Sequence, residues 1–162
     1  MEFELKSFRQ KALARKKTNK KFLNSLKKES PKKLDQLFRY YHEEVFSDFS
    51  CLDCANCCKS LGPKFLPQDI DRIAAHLRMS TASFIETYLR IDEDQDYVLQ
   101  KVPCAFLEDD NRCGIYEVRP KACRTYPHTD SRGMQGKLGL TQKNTLTCPA
   151  VLEIVERMQV ED

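Results

Sequence analysis

Apolar residues recur with helical spacing along most of this chain. Leu34, Leu37, Phe38, Tyr41 and Val45 stand at i, i+3, i+4, i+7 and i+11, so one face of residues 31–46 is apolar and a helix is predicted there. Ser30-Pro31 supplies its cap and a proline at its first position. Residues 5–28 have high helix propensity and few breakers, with Leu13, Phe22, Leu23 and Leu26 as a sparse apolar set among lysines. Pro67 opens a helix to about Leu77 that puts Ile70, Ile73, Ala74 and Leu77 on one face. Met79-Ser80 reads as staple and cap for a helix over 81–90 that buries Phe84, Ile85, Tyr88 and Leu89. Cys148-Pro149 leads a last helix with Val151, Leu152, Val155 and Met158 inward.

Strand signals are short. The acidic stretch 91–96 reads as a loop, and YVLQKV, 97–102, as a strand. Two apolar pieces around Asp109-Asp110-Asn111 predict a hairpin over 104–116. Arg119-Pro120 begins a turn or short helix through Cys123, and 129–147 reads as loop with a strand in GKLGLTQ. No repeat is visible.

Charge divides the chain. Residues 1–50 hold 13 Lys/Arg against 7 Asp/Glu, and the remainder holds 14 against 17, within an overall +3. We therefore expect a basic helical extension, 1–47, joined to a mildly acidic body, 48–162. The beginning MEFELKSFRQKALARKK offers neither the apolar core nor the cleavage site of a secretory signal, and no stretch approaches a membrane span. A cytoplasmic location and no membrane association are the expectation.

Eight cysteines change the picture: C51-x2-C54-x2-C57-C58, then Cys104, Cys113, Cys123 and Cys148. In a reducing compartment such clusters serve metals or redox chemistry more than disulfides. A thioredoxin-like role needs a βαβ context around CxxC, which residues 40–70 do not provide. A cysteine pair separated by two residues chelates one ion from a single turn, and a run of three with a distant fourth suits an iron–sulfur cluster. If 51–58 is helical, Cys51, Cys54 and Cys58 share an arc; if it is an irregular loop, Cys51, Cys54 and Cys57 form the trio. Eight sulfurs would fill two four-thiolate sites, or one site with several structural cysteines, and spacing leaves both open. The fold expected is α+β and mostly helical: a small metal-organised domain with a short β-hairpin and the N-terminal helical extension.

CLDCANCC, followed by PCAFLEDDNRCGIYEVRPKACRTYP, resembles the YkgJ-like cysteine-cluster family, described as zinc- or iron-chelating and widespread in bacteria. The resemblance covers roughly 48–150, including LPQDIDRIAAHL and the Ser-Thr-x-x-Phe helix start, and leaves the basic arm outside. A similar cluster in flagellin lysine N-methylases is associated with an iron–sulfur centre. The resemblance implies metal ligation at Cys51, Cys54, Cys57, Cys58, Cys104, Cys113, Cys123 and Cys148, with an iron–sulfur cluster and an assisted modification reaction among the roles.

All-sulfur ligation suits zinc and iron–sulfur clusters and excludes magnesium and calcium. An iron–sulfur cluster, 4Fe-4S among the forms, is the favoured expectation, with structural zinc as the alternative. Arg119 and Arg124 bracket Cys123 and are candidates to stabilise the bound group through guanidinium N–H groups beside thiolate sulfur; Arg112 precedes Cys113. His128 is read as structural, and His42 and His76 lack ligand-spaced neighbours. There is no GxGxxG and no phosphate-binding GxxxxGK[ST], so a nucleotide-fold methyltransferase within this chain is not expected. The lysines of the basic helices read first as a solvated face, with contact to an unknown protein partner as the alternative; no nucleic-acid recognition motif is present, so nucleic acid is not expected. No catalytic residue is assigned.

Overall fold

The computed structural model describes residues 4–161. Residues 1–3 and 162, the outer ends of the two regions expected above, lie outside that range. In chain order the elements are α1 (Leu5–Ser25), α2 (Pro31–Asp48), α3 (Asn56–Ser60), β1 (Lys64–Phe65), α4 (Pro67–His76), α5 (Thr81–Tyr88), β2 (Leu89–Ile91), β3 (Tyr97–Leu99), α6 (Lys121–Thr125), α7 (Leu138–Asn144) and α8 (Pro149–Val160). Short 3-10 turns cover Leu26–Lys28, Cys51–Asp53, Tyr116–Val118 and Met134–Lys137. The fold is α+β and mostly helical.

The chain forms two compact units, one of residues 1–54 with 127–162 and one of residues 55–126. These units do not follow the charge boundary at 47/48. In the first, Leu23, Leu34, Phe38 and Val45 of α1 and α2 share a core with Val151, Ile154 and Val155 of α8 and with Met134 and Leu138. Each such side chain removed from water contributes ~1.5–3 kcal/mol, so α1 and α2 are part of a packed bundle. Ser30 caps α2 by accepting from the Lys33 N–H at 3.3 Å. Asp35 accepts from the N–H groups of Gly133 (3.0 Å) and Met134 (2.8 Å), which tie α2 to the turn before α7. Phe8 and Ala12, absent from the expected apolar set, pack with Leu152, whereas Leu13 is 66% exposed.

One expectation in this unit is corrected. GKLGLTQ is not a strand: Met134–Lys137 is a 3-10 turn and Leu138–Asn144 is α7. Leu138 and Leu140 alternate like strand residues, but Leu138 is buried and Leu140 exposed, and Met134, Leu138 and Thr141 supply the inward face. Spacing of three and four won over spacing of two.

In the second unit, Ile70 and Ile73 of α4, Phe84 of α5, Phe65, Leu89, Leu99 and Ile115 make the core. Ser80 caps α5, accepting from the Ser83 N–H at 3.1 Å. The helix ends at Tyr88, short of the expected 90, because Leu89–Ile91 leaves to pair with β3 in the register Leu89↔Leu99 and Ile91↔Tyr97. The acidic loop is thus a hairpin turn, in which the Asp92 carboxylate accepts from the N–H groups of Asp94 and Asp96 at 3.0 Å. β1, which the sequence pattern did not announce, completes an antiparallel sheet of order β1-β3-β2.

Candidate metal centre

The segment 51–58 is neither one helix nor an irregular loop. Cys51–Asp53 is a 3-10 turn, with the Cys54 N–H donating to the Cys51 carbonyl at 3.2 Å. Ala55 then turns the chain through a left-handed conformation (φ 47°), and Asn56 begins α3. Cys51 is exposed, Cys54 is buried at 5% exposure, and Cys57 and Cys58 sit half-buried on α3.

The other cysteines of the second unit lie on a hairpin, which carries Cys104 and Cys113, and on α6, which carries Cys123. The Cys104 N–H donates to the Cys58 carbonyl at 2.8 Å, which fixes α3 to the start of the next hairpin. That hairpin closes through the Gly114 N–H on the Phe106 carbonyl and the Glu108 N–H on the Arg112 carbonyl, both 2.8 Å, with Leu107 bridged to Cys113. Its turn is the expected Asp109-Asp110-Asn111, with Asn111 at φ 67°. Cys104 and Cys113 flank it and pack on the unit's core. Cys123 lies on α6.

Asp69 and Arg72 place that last helix, and sequence reasoning assigned neither a role. The Asp69 carboxylate accepts from the N–H of Leu66 (2.9 Å), the guanidinium of Arg72 (2.7 Å) and the N–H of Lys121 at the start of α6 (3.2 Å). Arg72 donates onward to the carbonyls of Val118 (3.3 Å) and Arg119 (2.9 Å). Burial alone would raise the Asp69 pKa, but these donors overcome it and hold the carboxyl below its usual range.

The sulfurs of this unit feel one another. Cys57 pushes the Cys58 thiol upward, and burial adds to that. Burial raises Cys104 and Cys113, and in each the Cys58 charge raises it further. The surface of Cys123 stays accessible, yet desolvation around its sulfur, followed by the charges of Cys58, Cys104 and Cys113, pushes it to about 12. Cys58 is common to all three. Opposing these effects, backbone N–H groups of Phe106 and Leu107 favour the thiolate at Cys104, and that of Ile115 does so at Cys113. Donors aimed at sulfur two or three residues ahead are the kind that tune metal thiolates. The Arg119 charge also favours the thiolate at Cys113 and Cys123. Its guanidinium sits over the Tyr116 ring at 3.9 Å and donates to the Tyr116 carbonyl at 2.6 Å.

In the other unit, Cys148 is the N-cap of α8 and packs on that unit's core. Burial raises its thiol to about 12; the N–H groups of Val151 and Ala150 pull it back, while the charges of Cys51 and Cys54 add to the rise. His42 bonds to Thr129 at 2.8 Å and faces Asp130 at 3.9 Å, a structural role. His128 adopts a left-handed backbone (φ 69°), and burial lowers its pKa. Arg124 lies on α6, and Arg112 pairs with Asp110 at 3.4 Å.

None of the eight cysteines, all of them among the described residues, is paired in a disulfide. Among the described residues, no three Cys, His, Asp or Glu side chains are already closed around a common point as metal ligands would be. The donor chemistry nonetheless fits a soft metal: eight thiols, backbone N–H groups that favour the thiolate at Cys104, Cys113 and Cys148, and the Arg119 charge acting on Cys113 and Cys123. Burial raises thiols here, and a bound cation would relieve that unfavourable ionisation.

A cysteine-cluster chelating protein is the class this arrangement defines. The chain belongs to the CxxCxxCC family, described as a "putative zinc- or iron-chelating domain", whose model matches residues 50–149. The uncharacterized protein MJ0661 of Methanocaldococcus jannaschii is 31% identical over 96 residues, which is 57% of this chain and 51% of that protein. This chain therefore spans about half the length of that relative. A search of solved structures finds no significant match. Among the described residues, no helix is long and apolar enough to cross a membrane.

Proposed function

We propose that this protein carries an iron–sulfur cluster held by Cys58, Cys104, Cys113 and Cys123, and serves electron transfer or assists a protein-modification reaction. The carrying observation is that these four cysteines lie in one compact unit of a chain that belongs to a chelating family, with the Cys104 N–H on the Cys58 carbonyl at 2.8 Å and Cys113 bridged to Leu107 in the hairpin that Cys104 begins. Four thiolates complete the ligand set of a cubane cluster, and such a group when bound supplies reversible one-electron transfer. The protein's own contribution is to position and tune. Asp69 and Arg72 hold the start of α6, the helix that carries Cys123. N–H groups of Phe106, Leu107 and Ile115 stabilise sulfur charge, and Arg119 adds a fixed positive charge. The test is anaerobic purification from iron-replete cells with metal analysis and a visible spectrum. Iron with sulfide and broad visible absorption is expected; stoichiometric zinc in a colourless protein overturns the iron reading.

A second reading, a structural-zinc module that docks a partner through its basic helices, is supported by α1. Residues 5–25 contain no acidic residue. Lys16, Lys17, Lys20 and Lys21 lie on this helix, while only Lys11 and Arg15, bonded to Glu156, have ion-pair partners there among the described residues. Copurification of one partner, lost when those four lysines are reversed to glutamate, is the outcome this reading expects.

A further inference from the structure

We propose that the outer face of α1 is a docking surface for an acidic, leucine-bearing helix of another protein. It rests on the reading that the basic helices dock a partner, and not on which metal the cysteines hold.

The bundle uses only one face of α1. Phe8, Ala12, Asn19 and Leu23 are buried. Phe8 and Ala12 pack with Leu152 of α8, and the Asn19 side chain accepts from Gln159 of α8 at 2.7 Å. On one flank, Lys11 and Arg15 pair with Glu156 of α8 at 2.6 and 3.4 Å. Lys6, Arg9, Leu13, Lys16, Lys17 and Lys20 are all exposed. At the helical step these six share an arc of about 100° and run about 21 Å along the axis. None of the five cations has an ion-pair partner among the described residues, and the helix holds no carboxylate. The neighbouring α7 adds none either, and exposes Lys143.

Leu13 decides the class of partner. It is 66% exposed at the middle of the stripe, with Arg9 one turn before it and Lys17 one turn after. An apolar centre inside a charged rim is the anatomy of a protein interface. A nucleic-acid backbone would pair with the lysines and give the leucine nothing to bury against. A bilayer takes up the apolar face of a helix, and that face of α1 is already buried in the bundle. An acidic helix answers both features. Its carboxylates meet the cations while its apolar residues cover Leu13, and a basic competitor is repelled.

Fluorescence anisotropy with the full chain tests this. The probe is a labelled helix-forming peptide of about 20 residues, glutamate and alanine with a central pair of leucines one turn apart. Oligouridylate RNA of similar length and vesicles of phosphatidylcholine with about a quarter phosphatidylserine are the competing probes. The peptide should bind most tightly of the three in about 0.1 M salt. Lys16→Glu/Lys17→Glu/Lys20→Glu should weaken it at least about tenfold, and Leu13→Ala about fivefold. Alanine in place of the peptide's leucines should cost as much as Leu13→Ala. All four substituted positions are exposed, so helical circular dichroism should stay at the wild-type level. Tighter binding of RNA or vesicles, or peptide binding indifferent to Leu13→Ala, overturns the proposal; if the lysines still matter, docking through the basic helices stands. Binding of no probe, or binding that the lysine reversal leaves unchanged, overturns the proposal and that reading together.

Discussion

Asp69 shows how one carboxylate links fold and site. It is buried, with 2% exposure, and its three donors come from the ends of two helices and from Arg72. Replacing it by alanine leaves buried donors unmatched, which costs about 1–3 kcal/mol. Because its folded pKa is depressed, its stabilisation is complete above the unfolded carboxylate range and is lost as pH falls through the folded value. Urea unfolding from pH 7 to pH 3 should therefore show Asp69→Asn less stable at neutral pH and the gap closing in acid. A constant gap would contradict that assignment. Arg119 makes a separate prediction. Its charge acts on Cys113 and Cys123, so Arg119→Ala should weaken metal affinity about 10–100-fold or shift the visible spectrum. Unchanged affinity and spectrum would reduce it to a partner of Tyr116.

At the scale of elements, the caps and faces were legible. Ser30 and Ser80 cap the helices they were expected to cap, and either serine replaced by alanine should cost about 1 kcal/mol in thermal or urea unfolding. Apolar periodicity located α2, α4, α5 and α8, because each buries one face against a core that repeats every three to four residues. The turn at Asp109–Asn111 was legible from its residue types. Elements decided by long-range pairing were not: β1 has two residues, and β2 takes over the expected end of α5 because Leu89 pairs with Leu99. Ala55 shows a second limit. A left-handed alanine between two cysteines carries no mark in the sequence, yet it separates the turn of Cys51 from the helix of Cys58. The eight sulfurs were legible by type and spacing; which compact unit each belongs to was not, because that depends on long-range packing.

The same folding of distant segments into one unit changes the picture of the N-terminal arm. Charge marks residues 1–47 as an extension, but Leu23, Leu26, Leu34 and Phe38 share one core with Val151, Ile154 and Val155. Deleting residues 1–28 should therefore broaden or abolish the cooperative unfolding of that unit, whereas reversing Lys16, Lys17, Lys20 and Lys21 should leave both the melt and the metal content unchanged. Phe38→Ala, at a fully buried position, should lower stability by about 3–5 kcal/mol. The family match begins at residue 50 and ends at 149, so this packed bundle includes sequence on both sides of the chelating region.

The most direct measurement is iron, zinc and sulfide content with a visible spectrum, for the anaerobically purified full chain beside its Cys58→Ser, Cys104→Ser and Cys123→Ser variants. The account predicts an iron- and sulfide-containing, coloured wild type whose absorption each of the three substitutions removes or strongly reduces. A folded wild type with no bound metal, or colour and iron that survive all three substitutions, would contradict it.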